Sequence, residues 1–426
     1  MAHPALTFDA LRDAVANGAV AIRANTRLEA AGGAGDKVFP PTYVKEGKSQ
    51  TKYAMEMRKV DGHDVATVLL DSVASQANRM EEALLDGWRR GELKFPVLQV
   101  DFSKQEGLED LEQITVLQAP HRIADALLRD SVDGENTPFR LTEIGKQFTD
   151  ARPGHATRMY QHCPTALVFG VWDSTGPKGG LGAKFQRCLV SEIVGYDIVA
   201  GVKTASRIDP AGIEKKAAHV FEHANDGSDW THLESEAAKE KGKPKLFSRK
   251  GAGDKGTPAA INHGNIPPSV DSEAGGITMS YAVQTVVLSL AGLRRLRFQD
   301  RIDGTRLEAG ARDAAETAAR TALAALALSA VVYQRDNGFD LRSRSLLVAT
   351  EPLAFEVLGR DGGEPRSYGL ERAQAAELLA QAASGAAHVG LGWDATPVTF
   401  TPAPKLAHLV RESRKLVTAG EIDGEG

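Results

Sequence analysis

Val65-Ala66-Thr67-Val68-Leu69-Leu70, followed without a break by Asp71-Ser72-Val73-Ala74-Ser75-Gln76-Ala77-Asn78-Arg79-Met80-Glu81, reads as a strand that turns straight into a helix. The strand residues are β-branched or aliphatic with no turn former among them, the pattern of a buried strand. Asp71 or Ser72 then supplies the side-chain oxygen that caps a helix N-terminus. Beyond the cap Val73, Ala77, Met80 and Leu84 recur at spacings of four, three and four, which makes one apolar stripe. Ser72, Gln76 and Arg79 recur on the adjacent stripe, so a polar, donor-rich edge is expected beside the buried face.

Working outward, Phe8 to Ala16 predicts a short amphipathic helix and Val20 to Leu28 a strand. Thr165 to Trp172 reads as the clearest strand of the chain, because Leu167, Val168, Phe169 and Val171 fall in one apolar run. Phe185 to Val194 predicts a second extended segment and Tyr281 to Leu290 another. Ala311 to Tyr333 predicts a long Ala-rich helix, Leu341 to Ala349 and Ala354 to Leu358 further strands, and Glu371 to Ala383 a last helix. Strand into helix, then strand pairs, then a long helix into another strand suits an α+β fold, and a split βαβ arrangement is compatible with it. No repeat of fixed period is present. Between Thr231 and Pro268 the character changes: Glu234 to Lys245 is nearly all charged residues and Ala, and Ser248 to Thr257 is rich in Gly, Lys and Asp. Such a stretch has little apolar surface to bury, and it predicts a mobile insertion.

The 426 residues allow one large elaborated domain or two to three ordinary ones. Apolar and charged fractions of 42% and 25% are those of a globular chain, and the formal net charge of −5 provides no bulk attraction to nucleic acid. Any RNA-binding surface must come from local clustering of Lys and Arg. Cys163 and Cys188 lack the spacing of a zinc site and predict buried free thiols in a reducing cytoplasm. The first residues show no basic-then-apolar run, and Thr321 to Val332, the longest apolar stretch, is too short to cross a bilayer, so a cytoplasmic protein is expected.

Few constellations carry chemistry. Gly176 to Gly182 is a glycine-rich turn, but Ala183-Lys184-Phe185 breaks the Gly-Lys-Ser/Thr pattern of a P-loop. A plain hairpin loop and a loop that lets an RNA backbone approach both remain open, with Lys178, Lys184 and Arg187 favouring RNA. The Ser72, Gln76, Arg79 stripe carries the residue types that bond phosphate and ribose oxygens, and such a stripe is more often a solvated helix face. Asn78, just off the stripe, could equally cap a neighbouring loop. Basic clusters lie at Lys37 to Lys59, at Lys239 to Lys255, and at Arg294, Arg295, Arg297 and Arg301. His219 and His223 stand four apart without the HExxH glutamate, no GxSxG is present, and nothing pairs Asp9, Asp61, Asp64 or Asp71 into a catalytic set.

Five ordered blocks together resemble a known family. They are Gly35-Asp36-Lys37-Val38-Phe39-Pro40-Pro41-Thr42-Tyr43, Leu70 to Glu81 as quoted above, Ala119-Pro120-His121-Arg122-Ile123-Ala124-Asp125-Ala126, Phe169-Gly170-Val171-Trp172-Asp173-Ser174 with Gly179-Gly180, and Gln186-Arg187-Cys188-Leu189-Val190-Ser191-Glu192-Ile193. The family is the backbone subunit of type I-G (formerly I-U) CRISPR effector complexes, of the RAMP superfamily. The resemblance implies a ferredoxin-like, RRM-type palm with large finger and thumb insertions, within one elaborated domain over residues 1–426. The finger falls at 36–62 and a second insertion at 200–276, with its mobile charged stretch at 231–268.

The resemblance further implies a crRNA-binding subunit of Cascade that stacks head-to-tail along the guide as a helical filament and presents it for target DNA recognition and R-loop formation. Its partners would be crRNA, target DNA, copies of itself, other Cascade subunits and a recruited helicase-nuclease, with no membrane, no metal, no cofactor and no catalysis. Contacts to phosphate and 2′-hydroxyl groups would come from Ser72, Gln76, Asn78 and Arg79, then Lys178, Gly179, Gly180 and Lys184, then Gln186 and Arg187. Lys45, Lys48 and Gln50 would belong to the finger, and Lys239 to Lys255 would clamp DNA. Two rival readings are an RNA-cleaving subunit, as in the family's type III relatives, and a nucleotide-binding cytosolic enzyme.

Overall fold

The computed structural model describes residues 3–44, 51–179, 182–248 and 255–418. Helix α1 (Phe8–Ala16), capped by the Thr7 hydroxyl, leads into strand β1 (Ala21–Ala30). A hairpin of β2 (Met55–Val60) and β3 (His63–Asp71) follows, and β3 passes into α2 (Val73–Arg89). Ser72 is the cap: its hydroxyl accepts from the Ser75 N–H at 3.2 Å. Ala77, Met80 and Leu84 of the expected stripe are buried.

Thr165 to Phe169 corrects the sequence reading. The run is not a strand but the helix α3 (Pro164–Phe169), ended by Gly170 at φ +83°. Pro164 opens it at the first helical position, where a missing N–H costs nothing. Every residue of α3 is buried, so no polar face marks its period, and an apolar run of this kind does not distinguish helix from strand. Only β4 (Val171–Trp172) is extended, pairing with β5 (Lys184–Phe185). The segment after it is likewise divided: Gln186 and Arg187 lie between β5 and β6 (Leu189–Ala200).

The chain returns through β7 (Ile277–Ser289), the long helix α4 (Ala309–Asp336), β8 (Phe339–Asp340), β9 (Leu346–Ala349), β10 (Phe355–Leu358), β11 (Arg366–Tyr368) and α5 (Arg372–His388). The strand predicted over Leu341 to Ala349 is broken by a turn at 341–345, where Arg344 takes φ +60°. Among the described residues the main sheet runs β8-β9-β1-β7-β6-β3-β2, with β10 also on β1 and β11 on β10. β1 is antiparallel to β7, in register from Ala21 opposite Ser289 to Leu28 opposite Ala282. Successive residues of β1 alternate: Ala24, Thr26 and Leu28 are buried, while Asn25, Arg27 and Glu29 are exposed.

Helices α1, α2 and α5 pack on α4. Its alanines, among them Ala319, Ala322, Ala324 and Ala327, keep its surface narrow on all sides and let neighbouring backbones come close. This helix is long and apolar enough to span a membrane by length and composition, yet 89% of its most apolar window is buried inside the protein. Beneath the sheet lies a polar network. Gln76 Oε1 accepts from the Ser191 hydroxyl at 2.9 Å and from Gln284 Nε2 at 2.8 Å, and Gln284 Nε2 also donates to Gln334 Oε1 at 2.9 Å. Low local polarity strengthens such bonds and makes losing one partner expensive.

The chain divides into two compact units, one carrying Met1–Lys45, Lys52–Val199 and Ile277–Leu406, the other built on Ala200–Gly276. In the second, Lys203–Arg207 pairs with Ile266–Asp271, and Phe221–His223 with Asp226–Thr231. The described part of 231–268 carries local packing and a strand pair. Phe247 and Ala260 bury themselves against Val220, and Lys239–Glu240 pairs with Lys243–Pro244.

Candidate nucleic-acid interface

Four of the five sequence blocks meet around α2 and the strand end that precedes it, at two buried carboxylates ten positions apart.

The first is Asp71, the last residue of β3, with a fully buried side chain. One carboxylate oxygen accepts from Gln76 Nε2 at 2.6 Å and Arg79 Nε at 3.0 Å, and Arg342 comes within 3.6 Å of the other. Arg79 also donates to the carbonyls of Asp340 and Leu341, and Arg342 to that of Leu70 at 2.9 Å. Gln76 is therefore not on a polar edge: it is completely buried and its hydrogen bonds are internal. The helix period carries it under the sheet, toward Ser191. Ser72 is half-buried with its hydroxyl engaged in capping, Arg79 keeps about a quarter of its side chain exposed, and Asn78 is exposed. Burial holds the Arg342 guanidinium below its ordinary value, against the pull of Asp71.

The Gly35–Tyr43 block joins this end. The Phe39 N–H donates to the Arg344 carbonyl at 3.1 Å, and the Arg344 guanidinium lies 4.0 Å from the Phe39 ring centre. Exposed Tyr43 stands beside them in the chain. Arg342 and Arg344 were not singled out from sequence, because the apolar residues on either side of them read as one continuous strand.

The second carboxylate is Glu81. Both its oxygens are held by Arg122, at 2.7 Å from Nε and 2.6 Å from Nη2, and Arg122 Nη1 donates to the Gly170 carbonyl at 3.0 Å. Arg187 Nε donates to the neighbouring Phe169 carbonyl at 3.0 Å. Burial drives the Glu81 carboxyl up to about 7, with Arg122 pulling the other way. Burial also lowers the half-buried Arg187 guanidinium, and the Arg122 charge adds to that. A methyl at Gly170 would sit 2.9 Å from the Arg187 backbone nitrogen, so glycine is required by the approach and by its positive φ.

From Gly170 the chain enters the β4–β5 hairpin. Asp173 is buried and gripped by both terminal nitrogens of Arg140, at 2.6 and 2.7 Å. Cβ atoms at Gly176 and Gly182 would fall 2.1 Å from the Asp173 carboxylate and 2.3 Å from its carbonyl oxygen. Two glycines of the turn thus serve packing around Asp173, while Gly179 is at φ +54° with open space beside it. Lys178 pairs with Asp150 at 2.5 Å, both well exposed. Lys184 stands opposite Trp172 in the strand pair, its ammonium 4.8 Å from the ring centre. Gln186 is exposed and accepts from Arg295 at 2.6 Å. Lys45, Lys48, Gln50 and Gly180 lie outside the described residues.

The structure thus links the helix margin to the hairpin through Glu81, Arg122 and Gly170. The candidate side chains that keep exposed surface are Asn78, Arg79, Arg344, Lys178, Lys184, Gln186 and, in part, Arg187. Such a set can neutralise phosphates and bond ribose oxygens. Among the described residues no three His, Cys, Asp or Glu side chains gather as metal ligands.

Residues 22–200 match the model of the family described as CRISPR-associated protein GSU0053. Over that stretch the chain is similar to a CRISPR-associated protein family, and both buried carboxylates, Arg122 and the hairpin fall inside it, whereas Arg342 and Arg344 lie outside. Among curated proteins nothing matches the chain.

Proposed function

We propose that this protein is the crRNA-binding backbone subunit of a type I-G Cascade effector complex, a scaffold of the RAMP superfamily that works in the cytoplasm. The observation that carries the reading is the CRISPR-associated family match over residues 22–200, the stretch in which four motif blocks converge on Glu81 and the hairpin.

The strand order supports the finer part. Taken alone, β9-β1-β7-β6 with α2 between β1 and β6 and α4 between β7 and β9 is the 4-1-3-2 order of a ferredoxin-like, RRM-type palm. The β2–β3 hairpin extends that sheet as the root of a finger, and Ala200–Gly276 is inserted in the chain between β6 and β7.

In this reading Arg79, Lys178, Lys184 and Arg187 hold guide phosphates, and Ser72, Asn78 and Gln186 reach its sugars and phosphate oxygens. Gln76 acts from beneath by fixing Asp71 and hence Arg79. The open space beside Gly179 gives the guide backbone room at the turn. Copies stack along the guide, target DNA pairs with its exposed bases, and cleavage belongs to the recruited helicase-nuclease. The chain itself performs no chemistry and needs no cofactor.

A direct test is equilibrium binding of a labelled single-stranded guide RNA across a salt series. Affinity that falls steeply and linearly with log salt, little changed by base sequence, supports the reading. No binding at low salt, or binding confined to one sequence, overturns it.

A further inference from the structure

Trp172 is 53% exposed. That is unusual for so large an apolar ring, and the backbone beneath it is unusually well fixed. Gly170 packs against Arg187 on one side, Asp173 is clamped by Arg140 on the other, and the Asp173 N–H donates to the Ala183 carbonyl at 2.9 Å. These contacts hold the backbone on both sides of Trp172 and so fix where the ring leaves the strand pair. Lys184, directly across the pair, sets its ammonium over the ring, 4.8 Å from its centre. Among the described residues no carboxylate is paired with Lys184. The hairpin therefore offers an exposed aromatic ring with a cation over one face, and that cation has no carboxylate partner among the described residues.

We infer that Trp172 and Lys184 form a one-nucleotide site for single-stranded RNA, the indole stacking on a base and the ammonium meeting the adjoining phosphate. The inference rests on the RNA-binding reading above and specifies it: one base of each bound stretch is held against the hairpin rather than left free. A base is the fitting occupant because every base has a π-face, so stacking tolerates a variable guide, while the lysine supplies charge complementarity to the backbone. A protein side chain docking on the indole would leave Lys184 still unpaired.

The test uses the full chain, a fluorescein-labelled single-stranded RNA, and the same RNA with its bases replaced by abasic sites. Trp172→Ala is expected to weaken binding of the normal RNA by at least about 5-fold, the low end for one lost stack, without changing the salt slope. Trp172→Phe should restore most of that affinity, and Lys184→Ala should shallow the salt slope by about one. On abasic RNA, wild type and Trp172→Ala should bind alike. Equal affinity of Trp172→Ala and wild type for normal RNA overturns the site while leaving the RNA-binding function standing. A loss of the same size on abasic RNA also overturns it, since the defect then has nothing to do with bases. A variant that binds RNA normally but assembles fewer copies assigns Trp172 to a protein contact instead. If wild type binds neither RNA, the site and the function on which it rests fall together.

Discussion

Glu81 and Arg122 lie 41 positions apart in sequence and meet through both carboxylate oxygens, with side chains 2% and 7% exposed. The pair closes the gap between α2 and the chain leading into the β4–β5 hairpin. Removing one partner leaves a buried, uncompensated charge. Arg122→Ala is therefore expected to destabilise the fold by about 3–5 kcal/mol in urea unfolding, and Glu81→Leu combined with Arg122→Met to recover much of that loss. A double variant no more stable than the single one would show that the pair is not what holds the two segments together.

Gly170→Ala tests the same junction from the backbone. The added methyl meets the Arg187 backbone nitrogen at a positive φ of +83°, so a loss of about 1–3 kcal/mol is expected, accompanied by weaker RNA binding as the hairpin shifts. The same substitution at Gly179, where nothing lies within 4 Å but φ is also positive, should cost clearly less.

Arg79 and Lys178 should separate stability from binding. Arg79→Ala strips the Asp71 carboxylate and two carbonyls of a partner, so both thermal stability and guide affinity fall. Lys178→Ala loses only an exposed pair with Asp150, which leaves stability within about 0.5 kcal/mol and shallows the salt dependence of RNA binding by about one. Unfolding curves and a salt series on both variants distinguish these outcomes.

The buried side chains also predict chemistry in solution. Burial holds the Cys188 thiol up at about 11 and raises that of Cys163. Both should resist iodoacetamide in native buffer near pH 8 and react fully in urea, as read by mass spectrometry.

His162 is pushed down to about 4 by burial, with Arg158 adding to it, and its Nε2 lies 2.9 Å from Gln147 Oε1. Its folded value is below the unfolded one near 6.5, so the unfolded chain takes up a proton first as the pH falls. The stability is complete above about 6.5 and is lost as the pH drops through that range toward 4. The loss should be about 2 kcal/mol, moderated by partial solvation, and His162→Gln should flatten it.

What was legible in the sequence was local. The Phe8–Ala16 helix announces itself by period, and the β3-to-α2 step by its run of neighbours, with the cap narrowed to Asp71 or Ser72 and settled as Ser72 by the fold. Thr165 to Phe169 misled because an all-round buried helix has no polar face, and the one local sign, Pro164 at its start, is a single residue. Gln76 shares a stripe with Ser72 and Arg79 but sits under the sheet, since a stripe fixes direction around a helix and not the depth of what covers it. Arg122, Arg140 and Arg342 were invisible as site-builders because their carboxylate partners are distant in sequence. Trp172 lay inside a motif block, but its exposure is a property of the folded hairpin alone.

The most direct measurement is to express the chain together with a CRISPR array, purify it under native conditions, and sequence any RNA that accompanies it after light nuclease trimming. A scaffold that coats a guide predicts a high ratio of absorbance at 260 to 280 nm and array-derived RNA cut at regular intervals, with the intervals lost in an Arg79→Ala, Lys178→Ala double variant that still folds. Protein free of RNA, or RNA drawn from the array no more than from the rest of the cell, would contradict the account.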